Sequence, residues 1–224
     1  MEFYIDSARV SEIKEACSYG VVSGVTTNPS LVLLSGNADY ASVVKEICAV
    51  VNGPVSAEVT VEGANAMIEQ GRIIAQWHPN VVVKVPMTED GFKATSVLAK
   101  EGIKVNMTLC FTLSQAILAA RAGAAYVSPF VGRLDDINQD GIALIKDIME
   151  VYGLYGYETQ VIAASVRHPQ HVYLCAKAGV DIATVPFSVF RQCFKHPLTD
   201  GGQKRFMEDW QKAQEQFGQK ITSL

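Results

Sequence analysis

Two periodicities alternate along this chain. Short runs of apolar, often β-branched residues, such as Val81-Val82-Val83 and Val161-Ile162-Ala163-Ala164, are bounded by Gly, Pro or Asn, and each is followed by a stretch whose apolar positions recur at helical spacing. The runs predict strands at 3–6, 22–26, 55–59, 81–85, 103–108, 125–129, 160–164 and 181–185. The stretches after them predict helices at 7–19, 40–51, 62–76, 89–100, 112–122, 139–152, 169–178 and 187–194. Strand starts are spaced by a mean of about 25 residues, which suits one strand-helix unit with short loops. Strands apolar on both faces suit a parallel sheet covered by helices. Eight such units predict an α/β fold, a (β/α)8 TIM barrel with an extra C-terminal helix; an open doubly wound sheet is the second choice.

No Pro/Ser-rich linker divides the chain, so residues 1–200 are expected to form one barrel domain. The segment 201–219 predicts a polar helix. Its apolar positions, Phe206, Trp210, Ala213 and Phe217, make one narrow stripe, so 201–224 is expected either to pack within the same domain or to make a subunit contact.

Composition narrows the function classes. With 49% hydrophobic and 19% charged residues among 224, the chain has material for a core and does not match disordered proteins. A net charge of −4 argues against a phosphate-backbone binder, so no nucleic-acid partner is expected. No apolar run approaches the roughly 20 residues that cross a bilayer, and Met1 leads directly into the first predicted strand; the expectation is no membrane and a cytoplasmic location. Five scattered cysteines without a CxxC pair predict reduced, mostly packed thiols rather than disulfides or a zinc site. Gly-rich nucleotide fingerprints are absent, and His168 and His171 share a helical face with no third ligand in view. No cofactor and no metal are therefore expected.

Barrels carry their chemistry at the C-terminal ends of the strands. Polar and ionisable residues interrupt seven apolar strands there: Asp6, Thr26 with Asn28, Glu58, Lys84, Asn106 with Thr108, Ser128 and Ser165. Lys84 stands inside an apolar run, where burial disfavours an ammonium and favours an amine able to attack a carbonyl and form an imine. Inward carboxylates at Asp6 and Glu58 would carry the proton transfers. The bland alternatives are a buried lysine neutralised by those carboxylates, and an Asp6 that caps the next helix. Arg133 after strand six and Arg167 after strand seven, with Ser128 and Ser165, suit a phosphate monoester; the alternative is surface pairing with Asp135, Asp136 or Asp140.

The segments FYIDSA (3–8), GVTTNPS (24–30), AEV (57–59), VKVP (83–86), NMT (106–108), SPFVGRLD (128–135) and ASVR (164–167), in register at strand ends, together resemble the transaldolase family, in particular its small bacterial subfamily. The resemblance runs from residue 2 to about 217. It implies a barrel whose Schiff-base lysine is Lys84, transferring dihydroxyacetone between sugar phosphates in the pentose phosphate pathway without a cofactor. By the same resemblance Asp6 deprotonates the hydroxyl during carbon–carbon cleavage, and Glu58 with Thr108 holds the water of imine formation. Asn28 and Asn106 orient the carbanion, Ser128, Arg133, Ser165 and Arg167 bind the phosphate, and Thr26 and Phe130 lie beside them. The related fructose-6-phosphate aldolases typically carry Gln in place of Glu58 and Tyr in place of Phe130, so both residues favour transaldolase over release of free dihydroxyacetone. The apolar stripe of the C-terminal helix suits a homo-oligomer, and the resemblance implies a decamer. A non-catalytic sugar-phosphate binder and a cofactor-free isomerase are the remaining alternatives.

Overall fold

Eight parallel strands close on themselves in sequence order: β1 (Glu2–Asp6), β2 (Val22–Thr26), β3 (Val55–Glu58), β4 (Val81–Pro86), β5 (Val105–Cys110), β6 (Tyr126–Pro129), β7 (Gln160–Ala163) and β8 (Ile182–Val185), with β8 pairing back onto β1. The computed structural model describes residues 1–36 and 39–217. Helices alternate with the strands: α1 (Val10–Ser18), α2 (Pro29–Ser35), α3 (Tyr40–Cys48), α4 (Ala64–Ala75), α5 (Glu89–Lys100), α6 (Leu113–Arg121), α7 (Val131–Asp135), α8 (Gly141–Tyr155), α9 (Pro169–Lys177), α10 (Phe187–Cys193) and α11 (Pro197–Phe217). The expected closed barrel is present, and the open sheet is excluded by the β1–β8 ladder.

Three local expectations are corrected. The first helix begins at Val10 rather than residue 7. Its N-cap is Arg9, while Ser7 turns the chain by accepting the Arg9 N–H and donating to Glu12, so Asp6 caps nothing. Two short helices were not expected. In α2, Asn28 caps and Pro29 starts a seven-residue helix that Gly36 ends at φ 78°, too short for a periodic pattern to register. The single turn α7 is shorter still. The C-terminal helix starts at Pro197, since proline is tolerated in a first helical turn and Gly201-Gly202 do not delay it. Its predicted last residues, 218 and 219, lie outside the described residues, as does the Phe217 side chain. Met1–Phe190 forms one compact unit, and the tail from Arg191 forms a second.

Alternation along each strand sorts the core. Outward residues, among them Ile5, Val25, Val83, Val85, Met107, Val127, Val161 and Val185, pack with the helices into the principal core, all fully buried. A separate, smaller cluster of Tyr4, Val82, Tyr126, Ile162 and Ile182 fills the barrel interior. Gly24 is required beside it: a Cβ there would stand 2.5 Å from the Tyr4 ring. This plug is the floor on which the next layer rests. Cys48, Cys110 and Cys175 are buried as expected, but Cys193 is exposed.

Candidate active site

Side chains two residues apart on a strand share a face. One step beyond the apolar plug, the inward positions therefore become Asp6 above Tyr4, Lys84 above Val82, Ser128 above Tyr126, and Thr184 above Ile182. Register sets these groups side by side: Asp6 opposite Thr26, Glu58 opposite Lys84, Lys84 opposite Asn106, and Thr108 opposite Ser128. Of these, Asp6, Thr26, Lys84, Thr108, Ser128 and Thr184 bound a pocket of about 170 Å³ that opens to solvent.

Ten of the twelve residues expected from sequence line it. Asp6, Thr26, Lys84, Thr108 and Ser128 form its base with Thr184, and Asn28, Phe130, Arg133, Ser165 and Arg167 its upper wall with Ala164. Glu58 and Asn106 stand behind the wall. Glu58 reaches the site through Lys84, its Oε2 3.1 Å from Nζ, and Asn106 accepts the Ser128 hydroxyl at 2.7 Å while donating to Ser56 Oγ at 3.1 Å. The bland alternative for Glu58, a partner for the buried lysine, is thus geometrically real. It coexists with a lysine, 5% exposed, that lines an open pocket.

Lys84 Nζ also donates to the Thr27 carbonyl at 3.1 Å. A hydroxyl chain braces this corner from outside the pocket. The Glu58 N–H donates to the Tyr40 phenol at 2.7 Å, and Thr27 spends its one hydroxyl proton on the Ser56 carbonyl, so the phenol must donate to Thr27. Tyr40 lies on α3 and carries no signal in sequence that could have assigned it here. Asp6 accepts from Thr26 at 2.7 Å. Burial raises its carboxyl above the ordinary aspartate range, opposed by the Lys84 charge and the Thr26 hydrogen bond, with Glu58 adding to the rise. Thr108 Oγ1 is fully buried and has no hydrogen-bond partner among the described residues, so it offers the pocket an open donor and acceptor. The Asn28 carbonyl is taken by the Leu31 N–H at 3.0 Å; what that side chain can offer a ligand is its amide donors.

Backbone strain gathers at the rim. Among the described residues only Leu109, Asn138 and Ser165 are non-glycines with positive φ. Leu109, at 62°, is the extra residue where the β5–β6 register slips after Thr108, a bulge of the kind that re-aims a strand end. Ser165, at 57°, turns the chain after β7 so that its carbonyl accepts the Gly132 N–H. Arg167 follows. Its Nη2 pairs with Asp136 at 2.8 Å, both side chains about half exposed, so the surface-pairing alternative holds for this arginine. For Arg133 it does not: the guanidinium lies 5.2 Å from the centroid of the Phe130 ring, makes no ion pair among the described residues, and leaves Asp135 to His171. His168 and His171 hold the start of α9, His168 accepting the His171 N–H and His171 accepting the Arg167 N–H. Among the described residues no three metal-ligating side chains cluster.

Sequence reasoning missed Thr184 and Ala164. For Thr184 the signal was available, since it is the only polar residue within Ile182–Val185 and repeats the strand-end pattern of the other seven.

A family model described as Transaldolase/Fructose-6-phosphate aldolase matches residues 3–222. "Probable transaldolase 1" of Listeria monocytogenes is 58% identical over 213 residues, covering 95% of this chain and 99% of its own. "Probable transaldolase" proteins of a Thermoanaerobacter species and of Methanococcus maripaludis are 57% and 56% identical, over 95% and 94% of this chain and 98% of each relative. A solved structure provisionally named a fructose-1,6-biphosphate aldolase, from Coccidioides immitis, superposes with a TM-score of 0.57 at 13% identity, over 83% of this chain and 73% of its own; that likeness concerns the barrel fold.

Proposed function

Because the chain belongs to the transaldolase/fructose-6-phosphate aldolase family, we propose that its pocket transfers a dihydroxyacetone unit from fructose 6-phosphate or sedoheptulose 7-phosphate to an aldose phosphate through an imine on Lys84. One observation carries this reading. A buried amine 3.1 Å from the Glu58 carboxylate shares the pocket lining with a second carboxylate, Asp6, and with a guanidinium, Arg133, that makes no ion pair among the described residues.

The steps follow from these positions. Lys84 passes a proton to Glu58, 3.1 Å away, and the freed amine attacks the ketose carbonyl at C2. The carbinolamine hydroxyl leaves as water, taking that proton back, and an iminium remains. Asp6 removes the proton of the C4 hydroxyl, and the electrons of the C3–C4 bond flow into the iminium as the aldose phosphate departs. The enamine left on Lys84 then attacks the aldehyde carbon of the acceptor, and Asp6 returns its proton to the new hydroxyl. Water held between Glu58 and the open Thr108 hydroxyl hydrolyses the product imine. Asn28 and Asn106 orient the three-carbon unit. Arg133 and Arg167, with Ser128 and Ser165, take the phosphate, for which the fork of each guanidinium is matched; Arg167 exchanges Asp136 for it.

A second reading, an aldolase releasing free dihydroxyacetone, uses the same imine. Glu58 and Phe130, where that branch typically has Gln and Tyr, favour transfer. The proposal extends to a cytoplasmic homo-oligomer, a decamer by resemblance, with 1–200 as the catalytic barrel and 201–224 as part of the same domain or a subunit contact. The exposed Phe206, Met207 and Trp210 on α11 support the contact. Among the described residues no helix is long and apolar enough to cross a membrane.

Borohydride reduction in the presence of fructose 6-phosphate, followed by intact mass and peptide mapping, tests the central claim. One dihydroxyacetone-derived adduct on Lys84 is expected, and Lys84→Arg should abolish it, because a guanidinium stays protonated. Label on any other lysine overturns the assignment.

A further inference from the structure

Strand β8 is apolar except for one hydroxyl, that of Thr184, and burial leaves that residue 2% exposed at the base of the pocket. Its Oγ1 lies 2.6 Å from Thr26 Oγ1, which lies 2.7 Å from Asp6 Oδ1. With Asp6 ionised, counting protons fixes the direction of this chain. Each threonine hydroxyl has one hydrogen, and an ionised carboxylate only accepts. Thr26 must therefore spend its hydrogen on Asp6, and the contact between the two threonines can be made only by the hydrogen of Thr184. We infer that Thr184 is a positioning residue for the reaction: it donates to Thr26, polarises the Thr26 hydroxyl toward Asp6, and so holds the carboxylate in the ionised, oriented form that takes a proton from the substrate.

Hydrogen bonds in such a chain strengthen one another, and a donor aimed at the charged form of a carboxyl favours that form. The other groups that act on Asp6 are Lys84 on β4, which favours its charge, and Glu58 on β3, which opposes it. Arg133 and Arg167 share the pocket wall. None of these is hydrogen-bonded to the Thr26 hydroxyl among the described residues, so none replaces Thr184 as its donor. A valine in its place keeps the shape and leaves the Thr26 hydroxyl donating to Asp6 without that polarisation.

This inference rests on the reading of Asp6 as the proton acceptor in cleavage. The test compares native enzyme, Thr184→Val, Thr184→Ser and Asp6→Asn, following transfer from fructose 6-phosphate to erythrose 4-phosphate between pH 5 and 9, with borohydride trapping in parallel. Thr184→Val should move the acid limb of kcat/KM upward by about half a pH unit and so lower the rate on that limb by up to about three-fold, as expected for loss of a polarised donor. Trapping on Lys84 should be unchanged, and Thr184→Ser, which restores the donor, should return the limb. Val and Ser variants with the same acid limb as native enzyme overturn the inference, as does a Ser variant that behaves like Val. If the valine variant does not fold, Thr184→Ala against Thr184→Ser reads the same difference. An Asp6→Asn enzyme that still cleaves with a native acid limb overturns the reading of Asp6 itself, and the role of Thr184 with it.

Discussion

Gly132 lies inside α7, a turn of helix, where alanine would ordinarily be favoured over glycine by up to about 1 kcal/mol. The structure predicts the opposite sign. A Cβ at this position would stand 2.3 Å from the Ser165 carbonyl oxygen and 2.7 Å from both Cγ and Nε of Arg167, whereas ordinary contact begins near 3.4 Å. The Ser165 carbonyl must therefore retreat by about 1 Å, and it is backbone, held in a left-handed conformation and bonded to the Gly132 N–H. Overpacking of this kind costs about 1–3 kcal/mol, so after the helix gain Gly132→Ala should lose roughly 0–2 kcal/mol, and Tm should fall by at most about 8 °C at this chain length. The kinetic effect should be larger, because misplacing a binding group by about 1 Å can cost on the order of 100-fold. We expect kcat/KM for fructose 6-phosphate to fall by roughly 10- to 100-fold, and for unphosphorylated fructose by less than about three-fold, since the shift falls on the phosphate wall and not on Lys84. Steady-state assays on both substrates, with calorimetry, measure these quantities. Equal losses on the two substrates, or a variant as active on the phosphate as native enzyme, would refute the claim that this glycine lets Arg167 reach its place.

Three further outcomes are expected. Asp136→Asn removes the carboxylate that pairs with Arg167 and that the phosphate would have to displace; exposed pairs are worth about 0.2–1 kcal/mol, so KM for the phosphorylated donor should fall by roughly 1.4- to 5-fold with Tm almost unmoved, and a rise in KM would show that the pair orients the arginine productively. The double change Glu58→Gln with Phe130→Tyr should shift the ratio of transfer to free dihydroxyacetone release toward release, measured with and without erythrose 4-phosphate; native enzyme that releases dihydroxyacetone equally fast without acceptor would place the chain in the aldolase branch. Because burial raises the Asp6 carboxyl in the folded state, folding favours its protonated form, and this contribution to stability is present below the ordinary aspartate range and lost as pH climbs through the raised value. Asp6→Asn, which never ionises, should therefore gain Tm over native enzyme progressively across that window and hold the gain above it, and a difference that shrinks with pH would contradict the sign.

Much of the site was legible in the sequence for a physical reason. In a parallel barrel both faces of a strand are buried, so a lysine after three valines, or an aspartate after Tyr-Ile, has no solvent to turn to and must face the interior. Strand order and closure followed from the eight-fold alternation, and the strand ends from the place where apolar runs meet polar residues. What alternation along one strand cannot state is which strand's polar residue meets which. That Glu58 touches Lys84 while Asp6 meets Thr26 is set by register between strands. That Arg167 is held by Asp136 while Arg133 lies on Phe130 depends on loops that cross after the strands end. Thr184 and Tyr40 show the same division. Thr184 was written into its strand as a lone hydroxyl, yet its meaning appears only when β8 closes beside β1 and brings it to Thr26. Tyr40, an ordinary residue at the start of a helix, acquires its place only when α3 packs its phenol against the end of β3. Local pattern determines which side chains must be inside, because burial is decided residue by residue; tertiary closure decides which of them share a proton, because that depends on distances no single strand contains.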